Sequence, residues 1–215
     1  MVITLYACNF HGAFAHGLVR DIRVRWALEE AHLPYEARVL GRTEASAPEY
    51  RKIHPFAKFP ALVEDDLVMF ESAAMMIYLG EKSEVLLPRD RVGKARAISW
   101  ICAAATTIEG VVDAINRIDH FPIDPQADRA IRPRTEQVLR TRLECVSQAL
   151  ESKEYLEDRF SGADIMMRSV LDMLRHTDIV AQFPVLNSYM ARCAVRPAFQ
   201  RAMRDHLLAY QSESA

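Results

Sequence analysis

His54-Pro55-Phe56-Ala57-Lys58-Phe59-Pro60-Ala61-Leu62, then Asp65-Asp66-Leu67, then Phe70-Glu71-Ser72-Ala73-Ala74, is the stretch on which the fold turns. Residues 61–64 and 68–71 are apolar, β-prone runs on either side of Asp65-Asp66, the pattern of a tight hairpin. Pro60, just before the first run, cannot donate a ladder hydrogen bond. With a cis peptide it would bend the chain and leave the N–H and C=O of Phe59 open to an extended peptide, in the manner of strand addition. With a trans peptide it is a plain loop-to-strand proline. Glu71-Ser72 stands where a strand ends and a helix begins. A helix N-terminus presents free N–H groups and a partial positive charge, so it favours a carboxylate. Ser72 can hold a carboxylate through its hydroxyl and N–H while Glu71 pairs with an ammonium beside it, an arrangement that fits an α-amino acid end. Equally, Ser72 can serve as an N-cap alone.

Upstream of this stretch, residues 2–7 read as a strand and 18–31 as a helix, ended by His32-Leu33-Pro34 because proline cannot continue it. Residues 35–40 form a second strand candidate, 48–53 a short helix, and 72–83 a helix opened by Ser72. The order is therefore β-α-β-α-β-β-α, that of a thioredoxin-like domain. Downstream, Leu86-Leu87-Pro88-Arg89-Asp90 reads as a linker and no further strand is evident. Residues 92–118 form one long helix candidate, broken by Phe121-Pro122-Ile123-Asp124-Pro125. Leu139, Leu143, Val146 and Leu150 recur at helical spacing, giving the next helix one apolar face. Residues 165–174, 186–194 and 197–208 complete the set, with Pro197 suited to a first helical turn. A mixed α/β third followed by helices implies two unlike domains: an α/β thioredoxin-like domain over 1–83, a linker over 84–90, and an all-α helical domain over 91–215.

The bulk properties narrow the function classes. A net charge of −2, from 27 basic and 29 acidic residues, lacks the basic excess of a nucleic-acid binder. Arg20, Arg23 and Arg25 form a local basic patch, read as a solvated helix face. Cys8, Cys102, Cys145 and Cys193 are far apart and form no CxxC pair, which fits reduced thiols in a cytoplasmic protein. The N-terminus has neither the basic nor the long apolar region of a signal peptide. The longest uncharged run near the middle, Ala97 to Ile108, is 12 residues against the roughly 20 a membrane span needs. No membrane association is expected.

Taken together, the quoted stretch with Ile77-Tyr78-Leu79 resembles the glutathione-binding half of cytosolic glutathione transferases. Val24-Arg25-Trp26-Ala27-Leu28-Glu29-Glu30 and Leu33-Pro34-Tyr35-Glu36 are similar to that family's first helix and second strand. Phe160-Ser161-Gly162-Ala163-Asp164 resembles its buried S-x-A-D capping box, worth on the order of 1 kcal/mol through the N-cap bond. The resemblance implies a glutathione transferase fold, and glutathione as cosubstrate without a metal. It implies conjugation of the glutathione thiolate to small apolar electrophiles, as in detoxification, and a homodimer. By carry-over, Phe59 and Pro60 would bind the cysteinyl backbone of glutathione, Glu71 and Ser72 its γ-glutamyl end, and Lys58 would lie near the glycyl carboxylate. Phe59 departs from the usual valine, so its side chain could crowd the site.

A transferase must also stabilise the thiolate, the nucleophilic form of glutathione. The family uses a Tyr, Ser or Cys after the first strand. From Leu5 to Arg42 there is no Ser or Thr, which leaves Tyr6, Cys8, Asn9, His11 and His16. Tyr6 closes the first strand, where it either donates to the thiol or packs in the core. Cys8 could form a mixed disulfide with glutathione, as in a reductase, or be a small packed residue. His11 and His16 with Cys8 lack a fourth ligand for a metal. Residues 9–17 read as an inserted mobile loop whose Phe10 and Phe14 could line an apolar pocket or simply pack. Trp100, Thr106, Thr107 and Glu109 are acceptor-site candidates by position. The alternatives to a transferase are a binding or regulatory protein on this fold and a Cys8-dependent reductase.

Overall fold

The structure is a computed structural model that describes residues 2–211. In chain order its elements are β1 (Ile3–Cys8), α1 (Asp21–Glu30), β2 (Tyr35–Leu40), α2 (Arg42–Ser46), α3 (Pro48–Ile53), β3 (Ala61–Glu64), β4 (Leu67–Phe70) and α4 (Ser72–Lys82). There follow α5 (Arg91–Cys102), α6 (Glu109–His120), α7 (Pro125–Leu150), α8 (Gly162–Asp172), α9 (Pro184–Ala194) and α10 (Pro197–Gln211). A π-helical turn, Ala103–Ile108, joins α5 to α6. Among the described residues no strand follows β4.

The chain forms two compact units, one of Met1–Leu87 with Ala194–Ala215, the other Pro88–Cys193. The first is the thioredoxin-like unit. Its sheet runs β2-β1-β3-β4. β1 pairs in parallel with β2, α1 making the crossover that parallel strands require. β3 is antiparallel to both β1 and β4. The β3–β4 turn bends at Asp65, whose φ of 54° is the left-handed conformation that Asp tolerates and tight hairpin turns require. β1 is covered on both faces, with Leu5 and Ala7 buried on one and Tyr6 and Cys8 on the other. Gly80 of α4 permits a close approach: a Cβ there would stand 2.3 Å from Cγ of Leu87.

The arginine patch is a correction to the sequence reading. Arg23 and Arg25 are 1% and 2% exposed: Arg23 reaches the Ser72 hydroxyl, and α10 lies along α1 and covers the face that carries Arg25. Arg25 Nε donates to Asp21 Oδ2 at 2.8 Å, and His206 Nδ1 lies 3.1 Å from the same oxygen. Farther along, Arg196 grips Glu30 through two bonds of 2.6 and 2.8 Å, and Arg201 donates to Glu29 at 2.6 Å. Trp26 meets Phe199 edge to face at 4.8 Å. Charge and aromatic packing thus fasten α10 to α1. The 91–215 helical domain of the sequence reading counts this helix with the second unit, whereas its contacts put it with the first.

The second unit is helical. α5, the π turn and α6 run on as one helix, Arg91–His120, whose 30 residues are long and apolar enough to cross a membrane by length and composition. The uncharged 12-residue run in its middle had argued against a span; the whole run meets that criterion. In this fold Ala97, Ile101, Ala104, Ile108, Val112 and Ile115, spaced by threes and fours, form a buried stripe, the pattern of a helix that packs one face against a core. α7 buries the expected face, Leu139, Leu143, Val146 and Leu150. α8 is buried over Gly162 to Leu171 and opens with the capping box: Ser161 Oγ accepts from Ala163 N and Asp164 Oδ2 from Ser161 N. Asp164 also accepts from Leu156 N and Tyr189 OH, yet burial still pushes its carboxyl up to about 6.

Candidate functional site

Lys58, Phe59 and Pro60 lie between α3 and β3, and the Phe59-Pro60 peptide is cis. The ladder begins one residue later, at Ala61, which pairs with Tyr6 on one side and Phe70 on the other. Phe59 therefore stands outside the sheet, just ahead of the start of β3. It stacks on Tyr50 with centroids 4.9 Å apart and an interplanar angle of 18°. Tyr50, buried on α3, fixes the segment a second time by donating its hydroxyl to Lys58 O at 2.7 Å. Burial, with Cys8 and Tyr6 nearby, pushes the Tyr50 hydroxyl well above its ordinary range, so it stays a donor.

Glu71 and Ser72 form the other wall. Glu71 is the N-cap of α4 and has φ 71°, a conformation uncommon for a residue with a side chain and most often kept at functional sites. Ser72 is the first helical residue rather than the cap. It is 6% exposed, and Arg23 Nη1 donates to its hydroxyl at 3.3 Å. The first helical bond runs from Met75 N to Glu71 O, so the N–H groups of the opening turn before it are free of helical partners. His54 sits below Glu71 and Lys58; burial, first, and Lys58 lower its pKa, and Glu71 opposes them. A carboxylate, a hydroxyl and free amide N–H groups thus stand at the opening of α4, with Lys58 on the segment that leads into β3. That set matches a zwitterionic, extended peptide.

The thiol-activating candidates are placed less favourably. Tyr6 is 8% exposed, in a cluster with Leu40, Tyr50 and Ala61, and the Arg38 guanidinium lies 5.5 Å from its ring centre. Cys8 ends β1 at 1% exposure, and burial, helped by Asp21, pushes its thiol up to about 12. Asn9 Oδ1 is enclosed and accepts no hydrogen bond among the described residues. His16 turns to Tyr210, ring centres 4.1 Å apart. The loop after β1 holds a 3-10 turn at Ala13–Ala15. Phe10 meets Phe59 edge-on at 6.1 Å, and Phe14 is 49% exposed. In the second unit Trp100 is half-buried, the Thr106 hydroxyl donates to Cys102 O, Thr107 O accepts from Arg142, and Glu109 is buried. Among the described residues no His, Cys, Asp and Glu cluster could hold a metal. Sequence reading missed three residues that brace these segments: Arg23 on Ser72, Tyr50 on Lys58, and Arg42, which donates to Phe10 O. Only Tyr50, an aromatic at the centre of a short helix beside the motif, carried a signal.

Comparison with known proteins agrees with this geometry. The family described as "Glutathione S-transferase, N-terminal domain" matches residues 22–82. Glutathione S-transferase F10 of Arabidopsis thaliana is 30% identical over 173 residues, 77% of this chain and 77% of that protein. Disulfide-bond oxidoreductase YfcG of Escherichia coli is 27% identical over 188 residues, 82% of this chain and 86% of that one. A glutathione transferase from Burkholderia graminis, solved with two glutathione molecules bound per subunit, superposes with a TM-score of 0.82 at 27% identity, covering 94% of this chain and 87% of that chain. By its fold, its motif and these relatives, the chain belongs to the glutathione S-transferase family.

Proposed function

We propose that this chain is a glutathione transferase that adds the glutathione thiolate to small apolar electrophiles. The observation that carries the reading is the placement of the Phe59-Pro60 segment beside Glu71-Ser72 at the opening of α4, through the Ala61–Phe70 pair. Phe59 would pair its backbone with the cysteinyl residue. Ser72 and the free N–H groups of α4 would hold the γ-glutamyl carboxylate, Glu71 its ammonium, and Lys58 the glycyl carboxylate. The resemblance to the family implies these roles, and the relative from Burkholderia graminis, solved with glutathione bound, supports glutathione as the ligand. The protein would act in the cytoplasm as a homodimer, without a metal. Retention on a glutathione-affinity column followed by a conjugation assay with an aryl halide tests the reading; failure to bind glutathione ends it. Light scattering tests the dimer.

A second reading is favoured by one observation: neither Tyr6 nor Cys8 offers an open thiol-activating group, and YfcG is a disulfide-bond oxidoreductase. Here glutathione itself would reduce a small disulfide, its thiolate attacking one sulfur and expelling the other as a thiolate. The Cys8-dependent form of this reaction is disfavoured by burial and by a thiol held near 12. Turnover of a small disulfide without conjugation of the aryl halide would select this reading.

A further inference from the structure

The proposed reaction needs a group that holds the glutathione sulfur as thiolate, and the residues the family uses for this are buried here. The loop that leaves β1 supplies a different one. Arg42 of α2 donates to Phe10 O at 3.3 Å and lies 5.0 Å from the centre of the Phe10 ring. Phe10 in turn meets Phe59 edge-on, and the His11 ring lies against Phe10 at 4.9 Å. The loop is thereby pinned to the residue whose backbone would carry the cysteinyl group. His11 faces solvent on that pinned segment. The charged groups around it are Arg42 of α2, Lys58 of the segment before β3, and Asp21 of α1.

We propose that His11 meets the glutathione thiol: its imidazole N–H donates a hydrogen bond to the sulfur and holds it as the thiolate. The inference rests on the glutathione reading above. Partial burial, first, and then Arg42 lower the His11 pKa, with Lys58 adding to them and Asp21 opposing. The ring is therefore neutral near pH 7, with one N–H to donate, and the Arg42 cation beside it stabilises the negative sulfur. The thiol S–H bond breaks and its proton leaves to water. The sulfur electron pair then forms the C–S bond to the acceptor; with an aryl chloride, chloride departs with the C–Cl pair.

The test compares the unmutated protein with His11→Ala and His11→Gln, reading three quantities: glutathione affinity, the pH profile of kcat/KM for an aryl halide, and the ultraviolet band of bound thiolate. The unmutated protein should show an inflection well below the free thiol value of about 8.5. In His11→Ala the inflection should return to that value, with the thiolate band lost at neutral pH, glutathione affinity kept, and kcat/KM near pH 7 down by about 100-fold. His11→Gln, which keeps an N–H donor, should recover part of the shift. An unchanged inflection in His11→Ala overturns the assignment, and so does loss of glutathione affinity in place of the thiolate, which would make His11 an anchor for the tripeptide. A failure of the glutathione reading itself appears earlier and separately, as an unmutated protein that does not bind glutathione.

Discussion

At the scale of single residues, burial decides which side chains can do chemistry. Cys8 is the clearest case. A thiol pushed up to about 12 is protonated throughout the physiological range, and the thiol is a poor nucleophile. Iodoacetamide at pH 8 should therefore modify the exposed Cys102 and Cys145 and leave Cys8 unmodified in the folded protein, as peptide mass mapping would read. Rapid alkylation of Cys8 would return it to the site. Ser72 is the opposite case, a buried hydroxyl at a helix opening with a guanidinium beside it. Ser72→Ala should weaken glutathione binding by about tenfold, the scale of one hydrogen bond to a charged group, measured by titration calorimetry. An unchanged dissociation constant would remove Ser72 from the site. The cis bond at Pro60 and the helix opening at Ser72 were legible in the sequence because proline and an N-terminal serine mark such positions. Arg23 was not, because its partner lies 49 residues away and nothing local marks a guanidinium as buried.

At the scale of elements, sequence and structure agree where local chemistry sets the boundary. β2 begins after Pro34 and α3 begins at Pro48, and both ends follow from what proline permits. α2 escaped notice. It is five residues long, too short for periodicity, and its cap is the Glu44 carboxylate accepting from Gly41 N at 3.2 Å. The basic patch of α1 was read as a solvated helix face because α10, which covers Arg25, lies far along the chain. The charge balance between the two helices has a measurable pH dependence. Burial raises the pKa of Asp21, but the hydrogen bond and charge of His206 and then Arg25 outweigh it, so the carboxyl lies below its ordinary 3.8. A depressed pKa contributes stability that is present above about pH 4 and is lost as pH falls through the folded value. Between pH 5 and 2, urea unfolding should show the unmutated protein losing stability faster than Asp21→Asn. At pH 7 the same substitution should cost about 3–5 kcal/mol, since it leaves Arg25 buried without its charge partner. Equal pH slopes would show that Asp21 does not hold α10 in place.

At the scale of the whole molecule, order along the chain and membership of a unit part company. The thioredoxin-like unit is written at the start of the sequence, yet it is completed by α10. A fragment ending at Leu87 would expose the α1 surface that Phe199, Arg201 and His206 cover. Such a fragment should give the far-ultraviolet spectrum of a loosened chain and bind an apolar dye, and adding residues 194–215 as a peptide should restore order. A cooperative thermal transition for the fragment alone would contradict this. The division into a leading mixed domain and a trailing helical one was legible from periodicity. The return of the last helix was not, because the pairing of Glu30 with Arg196 leaves no local trace.

That return has a consequence in time. The partners of Glu30, Glu29 and Asp21 lie 166, 172 and 185 residues later in the chain. At a synthesis rate of about 5–20 residues per second, α1 emerges from the ribosome some 10–40 s before the helix that covers it. During that interval Arg25 and Trp26, both destined for the interior, remain in contact with solvent. The first domain to be made is thus among the last to close, and the nascent chain depends for that long on whatever shields an unfinished surface.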